Sequence, residues 1–500
     1  MSACLAALGP LVLLAQNTIR VPEDAPTIQA AIDTAQAFDT VLVATGTYVE
    51  TIDFLGKPIT VRSESGSDVT IIDGGDGSHL PVVSFRNGEG PESVLRGFTV
   101  TGGDNRSADF LGGGISCAGD TAPYTSPTIA ECVITLNRTG LVGGGVAGNP
   151  VLEDCKISAN IAFIGGGGVW GAPVMRRCLV SGNLAYDGGG LHLIESGALS
   201  VLIEDCVVID NMASDGARGG GVNIASPGAV LRRCLVARNY GVGYLGQTAV
   251  SGAGVCVEAF PPPLLERCTI VGNRVKDPSL YSQNVGGLAG AATLVDCIVR
   301  ANDHVDLHRS SEASYSNVEG GFPGIGNLDL DPLFVDAPNG DYRLAAGSPC
   351  IDTGDPKGAL DLDGTRADQG AFYYPQANVI PRNGSGVNRA CFSSLTPPFV
   401  GSTWNARVDA TGHAGASISG FLVVTQPLPT PLTTLSGELL IQVGSVRIAR
   451  YVSASTGAFD DFAVPIPLDT ALVGFAAYAQ AFVLGGATEL CNALDLKLGN

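Results

Sequence analysis

The chain has 500 residues, 45% of them hydrophobic, 15% charged and 68 of them Gly, which excludes a disordered polar chain and exceeds what one compact core accommodates. Its formal net charge of −20 works against binding nucleic acid or anionic membranes, both of which need clustered Lys and Arg. An acidic polysaccharide would need a bridging cation such as Ca²⁺, so neutral glycans or other proteins are the easier partners.

Val, Ile, Thr and Gly dominate and Met is scarce, so the chain reads as all-β with many tight turns. Residues 1–16 contain the apolar run Leu5–Ala15, read either as an imperfect signal peptide or as an apolar strand plugging the end of the fold. The run is too short to span a bilayer, and no other transmembrane segment is expected. Val21–Asp33 predicts a short amphipathic helix starting at Pro26 or Thr27, with Ile28 and Ile32 on one face. Strands Asp39–Ala44 and Pro58–Arg62 follow. With Gly46-Thr-Tyr-Val-Glu50, this stretch resembles the N-terminal cap of pectin-lyase-like β-helix proteins. The catalytic motifs of the pectin methylesterases in that group are not found.

From residue 132 the motif Cys-x-[Ile/Val]-x-x-Asn recurs in order, beginning at Cys132, Cys155, Cys178, Cys206, Cys234, Cys268 and Cys297. Between copies lies a Gly cluster and an aliphatic residue, as in Gly143-Gly-Gly-Val146 and Gly166-Gly-Gly-Val169. Spacings of 23 to 34 residues without helical period fit one coil of a parallel sheet. Side chains alternate along a strand, so each Cys and the aliphatic residue two positions later point inward and stack as ladders. Crossovers between parallel strands predict a right-handed coil. The Asn ladder is expected at the turn, its side chain bonding backbone groups and its own backbone tolerating the left-handed region. Charges just before each Cys alternate in sign, from Glu153-Asp154 to Arg176-Arg177 to Glu204-Asp205 to Arg232-Arg233, so stacked neighbours attract. These repeats resemble those of chlamydial polymorphic outer-membrane proteins and related adhesins.

After each Gly cluster the alternation places Trp170, His192, Asn223 and Cys256 outward on successive coils. The longer Asn-to-Gly connections carry Tyr240, Tyr244, Asp277 and Tyr281, while Tyr186 and Asp187 occupy a short turn. Together with Glu258 these residues form a candidate glycan groove, where rings stack on sugars and carboxylates and amides bond hydroxyls. The alternative is that the aromatics only pack loops onto the coil. In Asn302-Asp-His-Val-Asp-Leu-His308, alternation would put His304, Asp306 and His308 on one face, as a weak metal site or a solvated strand.

Asp331–Phe372, including Asp361-Leu-Asp-Gly364, resembles a terminal segment of exported choice-of-anchor-type β-helix proteins and reads as the last coils and C-terminal cap. Asp361 and Asp363 could bind Ca²⁺ but read more simply as a turn. The β-helix is expected over 17–375. Residues 376–500 then hold short strands, Ser417–Thr425, Glu438–Val443 and Phe475–Leu484 among them, punctuated by Pro and Gly, a small β-sandwich. Stacked ladder cysteines sit too far apart for disulfides and are expected to stay reduced. Cys391 and Cys491 bracket the C-terminal domain and are a candidate disulfide.

Two functions stay open. One is a non-catalytic, secreted or surface-located, monomeric rod that binds a polysaccharide or cell-surface component without a cofactor. The other is a polysaccharide lyase or glycoside hydrolase acting at the Gly-cluster face. No catalytic residue is assigned from sequence.

Overall fold

The computed structural model describes residues 16–75, 79–106, 111–117, 125–195, 200–214, 218–242, 252–276 and 285–499. The chain divides into two units. The first runs to Pro356 and takes in Asp368–Phe372; the second comprises Lys357–Ala367 and the residues from Tyr373 onward.

The first unit is a parallel β-helix built of four sheets. One precedes the Cys ladder and has 12 strands, from Thr18–Val21 to Glu312–Ser314. A second follows the Cys and has 11, from Gly46–Val49 to Asn317–Val318. A third follows the Asn and has seven, from Asp104–Asn105 to Arg274–Lys276. The fourth follows the Gly cluster and has nine, from Ile52–Asp53 to Leu288–Ala289. They are called here the pre-Cys, post-Cys, post-Asn and post-Gly sheets. At the N-terminus the helix Ile28–Thr34 is capped by Thr27, whose Oγ1 accepts from Ala30 N, and buries Ile28, Ala31 and Ile32.

The ladders are in register. Ile134, Ile157, Val180, Val208, Val236, Ile270 and Val299 stack one above the next, each almost completely buried. The seven cysteines beside them are free thiols and buried. The corner before each Cys is turned by a left-handed residue such as Asp154 (φ 53°), and the corner before each Asn by one such as Ala159 (φ 56°). This corrects the expectation for the Asn: it is the preceding residue that enters the left-handed region, because the Asn side chain must point inward. Its Nδ2 donates to the Oδ1 of the next Asn, at 2.9–3.1 Å from Asn137 through Asn239. Each Oδ1 also accepts the backbone N–H of the Asn one coil earlier. Within each Gly cluster, Gly143 takes φ 72° to make the turn, and a Cβ on Gly144 would lie 2.4 Å from Gly167 O of the next coil.

The alternating charges pair as expected. Arg176 reaches Glu153 and Glu204 at 3.6 Å, Arg232 reaches Glu266 at 2.7 Å, and Arg177 holds Asp154 at 2.7 Å.

Asp331–Phe372 does not continue the coil, which corrects its reading as the last coils. The last strand of the coil is Asn317–Val318, on which Leu328 adds a single parallel bridge, and Phe322 packs against its core. A hairpin, Phe334–Asp336 with Asp341–Leu344, then lies along the outer face of the post-Cys sheet. There Tyr342 and Ala371 bury Leu235, Ala237 and Val271. The outward pairs Lys156/Ser158 and Leu179/Ser181 become Val207/Ile209, Leu235/Ala237 and Thr269/Val271 where the returning segment covers them.

The second unit is an antiparallel sandwich. Five strands run in the order Asn378–Arg382, Thr488–Lys497, Ala476–Leu484, Ile418–Val424, Arg447–Ala454, and three run Phe392–Ser394, Thr403–Asp409, Phe459–Pro465. Phe392, Trp404, Phe421 and Phe462 fill the space between the sheets, with Trp404 Nε1 donating to Ser394 Oγ at 2.7 Å. Cys391 and Cys491 form a disulfide. Asp363 caps its turn by accepting from Thr365 N and Oγ1 and from Gln376 N.

Candidate functional site

The post-Gly sheet carries the site. Its inward residues Val169, Leu191, Val222 and Val255 are fully buried, so Trp170, His192, Asn223 and Cys256 face outward and align coil upon coil. The row is small and buried on either side, with Ser116 and Ala147 before Trp170 and Ala289 after Cys256. The large polar and aromatic side chains therefore interrupt a narrow stripe.

Around His192 and Asn223 the turns converge. Asp187 and Arg218 each stand one residue before a Gly cluster on consecutive coils. Arg218 N donates to Asp187 Oδ1 at 3.1 Å, and the Arg218 guanidinium holds Glu258 Oε1. Asn223 Nδ2 donates to the other Glu258 oxygen at 3.3 Å, and its own Oδ1 is buried without a hydrogen-bond partner among the described residues. His192 Nδ1 is likewise buried and unpartnered. It lies over Gly165, where a Cβ would come within 2.5 Å of it, so only Gly admits the ring there.

The electrostatics follow from burial. Desolvation pushes the His192 imidazolium below its ordinary range despite the nearby carboxylates of Asp187 and Glu258, so the ring is neutral at pH 7. Desolvation raises Asp187 above the usual carboxylate range, against the hydrogen bond and charge of Arg218. The Cys256 thiol is pushed up to about 12 by burial, so it is no nucleophile. The cluster thus brings together a carboxyl group with raised proton affinity, a second carboxylate held by a guanidinium, a neutral imidazole and an amide, beside the indole of Trp170.

Of the sequence candidates, Trp170, Asp187, His192, Asn223 and Glu258 come together here, whereas Tyr186 and Tyr240 do not. Tyr240 follows Asn239 directly and so opens a post-Asn strand, in the outward row Arg138, Ile161, Leu184, Met212, Tyr240, Arg274. Tyr186 follows the strand Leu184–Ala185 and lines a groove of about 670 Å³ on the same face, with Arg138, Ile161, Phe163 and Leu184. Tyr244, Asp277 and Tyr281 lie outside the described residues. Arg218 was not singled out from sequence. Its signal is positional, since it occupies the place before the Gly cluster that Asp187 holds one coil earlier, with opposite sign.

His304, Asp306 and His308 do not share a strand face, which corrects the metal-site expectation. His304 takes φ 62° and breaks the alternation. The Asp306 carboxylate turns to Asn302, accepting from its N and Nδ2, and His308 Nδ1 bonds Ser310 Oγ at 2.7 Å. No group of three metal-ligating side chains occurs among the described residues. Among the same residues, no helix is long and apolar enough to cross a membrane.

No family model matches the chain, and no curated protein matches it. Among solved structures it is similar to the enzymatically active domain of tailspike protein 4 of bacteriophage CBA120, at 12% identity and a TM-score of 0.25. That match covers 92% of this chain, which spans 63% of the length of the tailspike chain. The corresponding domain of tailspike protein 2 of the same phage matches at 10% identity and a TM-score of 0.13, over 93% of this chain and 73% of the other. Neither superposition is close enough to carry an argument about fold or activity, and the β-helix assignment rests on the strand pairing itself.

Proposed function

We infer that this is an exported, surface-acting rod whose post-Gly face binds an extended glycan. The observation behind this reading is the convergence of Asp187, His192, Arg218, Asn223 and Glu258 on three consecutive coils beside Trp170. Sugar hydroxyls offer both donors and acceptors, and the unpartnered Asn223 Oδ1 and the carboxylates would meet them, while the indole stacks on a ring. A buried polar atom without a partner costs stability, and a ligand that satisfies it gains that amount on binding.

The test is retention of the purified protein on a panel of immobilised neutral and acidic glycans. Trp170→Ala should weaken retention by about 2 kcal/mol, roughly thirtyfold, as expected for a central aromatic contact. His192→Ala should weaken it as well. Retention unchanged in both variants would remove this face from consideration.

A second reading, turnover of the bound glycan, is favoured by the two carboxyl groups in unlike settings, since environments that separate two acids also assign acid and base roles. It is checked by following reducing ends and unsaturated products with Ca²⁺ and with chelator. Under it, Glu258→Gln retains the glycan but releases no product; a parent protein that releases none is a binding rod.

A further inference from the structure

The sandwich unit carries a further two-stranded sheet, Pro427–Thr434 with Gly437–Ile441, on the outer face of its five-stranded one. There Leu440 and Ile441 pack on Val424 and Ala493. The Gln480 amide ties the two sheets, its Oε1 accepting from Leu440 N at 2.8 Å and its Nε2 donating to Glu438 O at 2.8 Å and Cys491 O at 2.9 Å. Between this cover and the edge strand Arg447–Ala454 runs a groove of about 270 Å³. Its walls are Leu422, Leu439, Phe482 and Leu490, all half-buried, and Val443 stands exposed at its mouth.

Both arginines of the edge strand line this groove. Arg447 and Arg450 stand opposite Val424 and Leu422 in the ladder, which puts them on the outer face. Neither side chain makes an ion pair or a hydrogen bond among the described residues. By contrast Arg382 holds Asp495 at 3.0 Å, Arg389 holds Asp409 at 3.4 Å and Arg407 holds Asp461 at 2.6 Å. Other carboxylates of the unit are engaged as well: Glu438 accepts from Ser385 N and Oγ, Asp460 from the Ser419 and Ser455 hydroxyls, and Glu489 meets His413 Nδ1 at 2.9 Å. In a chain of net charge −20, two neighbouring guanidinium groups without a carboxylate reverse the local sign.

The lining selects the occupant. Leucine and phenylalanine walls hold an apolar body by burial, and a guanidinium fork matches a planar carboxylate. A sugar finds little there for its hydroxyls, because Gln480, the amide in the lining, has both N–H groups and its oxygen bonded internally. At about 30 Å³ for each water-sized group, the groove takes roughly nine such groups, the size of a medium-length alkyl chain. We propose that this groove binds a carboxylate carrying a single medium-length alkyl tail, with the tail against Leu422 and Phe482 and the head group held by Arg447 and Arg450. It takes a different class of ligand from the post-Gly face.

The experiment is isothermal titration calorimetry of the full chain with sodium octanoate, set beside octanol, octyltrimethylammonium and acetate. Octanoate should bind at a single saturable site, octanol about tenfold more weakly, and the cation and acetate not measurably. Arg447→Gln and Arg450→Gln should each weaken octanoate by about tenfold and leave octanol unchanged. Neither side chain bonds within the fold, so Trp404 fluorescence should report the same unfolding midpoint in both variants. No saturable octanoate binding, equal binding of the cation, or an octanoate affinity that both substitutions leave unchanged would overturn the proposal. So would attachment of the full chain to phosphatidylglycerol vesicles that Arg450→Gln abolishes while octanoate does not bind, which would make the patch a membrane contact.

Discussion

Replacing Asn183 tests whether the inward ladder of amides holds the coils together. Its side chain is 1% exposed and makes four contacts: Nδ2 donates to Ile157 O at 3.0 Å and Asn211 Oδ1 at 2.9 Å, and Oδ1 accepts from Asn160 N and Nδ2, both at 3.0 Å. Asn183→Ala removes all four and strands the buried Asn160 N–H. The orphaned buried donor costs about 1–3 kcal/mol and each of the other three lost bonds about 1 kcal/mol net, so the loss should be about 4–6 kcal/mol. Asn183→Asp keeps the acceptor half but turns its second oxygen toward two other acceptors, Ile157 O and Asn211 Oδ1. It should be worse than Ala at pH 7. A carboxyl so placed has its folded pKa raised, so the penalty is present above that pKa and shrinks as pH falls and the acid protonates. The end of the row shows the distinction: Asp306 accepts from Asn302 N and Nδ2 where no further coil needs a donor. The chain has two tryptophans, Trp170 in the β-helix and Trp404 in the sandwich, so a Trp404→Phe background reports the β-helix alone. Guanidinium unfolding followed by Trp170 fluorescence is the assay. Asn183→Ala within 0.5 kcal/mol of its parent, or Asn183→Asp matching Ala at pH 7, would refute the account.

The ladder thiols should resist a thiol reagent in the native protein and react once it is unfolded, because every one of them is buried. Cys206→Ser should cost no more than about 1.5 kcal/mol, since Ser316 already ends the column and accepts from Cys297 N at 3.0 Å; Cys206→Leu should cost about 1–3 kcal/mol through overpacking. Reducing the Cys391–Cys491 disulfide, whose cysteines are 100 residues apart, should destabilise the sandwich by about 4–5 kcal/mol in a chain-entropy account, read as a lower midpoint by Trp404 fluorescence. Asp296 is buried and burial pushes its carboxyl up to about 6, so the folded state binds its proton more tightly than the unfolded state. Its contribution is therefore lost as pH rises through about 4 to 6 and is constant above, and Asp296→Asn should flatten the stability profile in that window.

What was legible in the sequence was what repeats. Cys132 and Ile134 recur at each coil because the interior of a stacked sheet admits the same small or aliphatic group every time, and the Gly cluster recurs because backbone passes over backbone there. The helix Ile28–Thr34 was legible from its spacing and cap. Tyr240 was misplaced because nothing in its own residue type says that a strand begins one position after the ladder Asn. The left-handed residue before each Asn was missed for a related reason. Leu136, Ala159, Asp210, Arg238 and Ala301 share no chemistry, only a backbone angle that the stack imposes on whatever occupies the corner.

Departures from the repeat on the outer faces divide by chemistry. On the post-Cys sheet Lys156/Ser158 and Leu179/Ser181 give way to Val207/Ile209 and Leu235/Ala237, a mainly apolar change in which Thr269 alone keeps a hydroxyl, and that hydroxyl accepts from Ala371 N. That is the signature of burial by the chain's own returning segment, with Tyr342 and Ala371 lying on it. On the post-Gly sheet the small outward residues give way to Trp170, His192 and Asn223, with Asp187, Arg218 and Glu258 brought in from the turns. Burying that set gains little from hydrophobic transfer and leaves Asn223 Oδ1 and His192 Nδ1 without partners among the described residues. An internal cover would have selected aliphatic residues at these positions, as it did one sheet away. A polar, hydrogen-bonding ligand is what the second departure fits, and a segment of the same chain is what the first one fits.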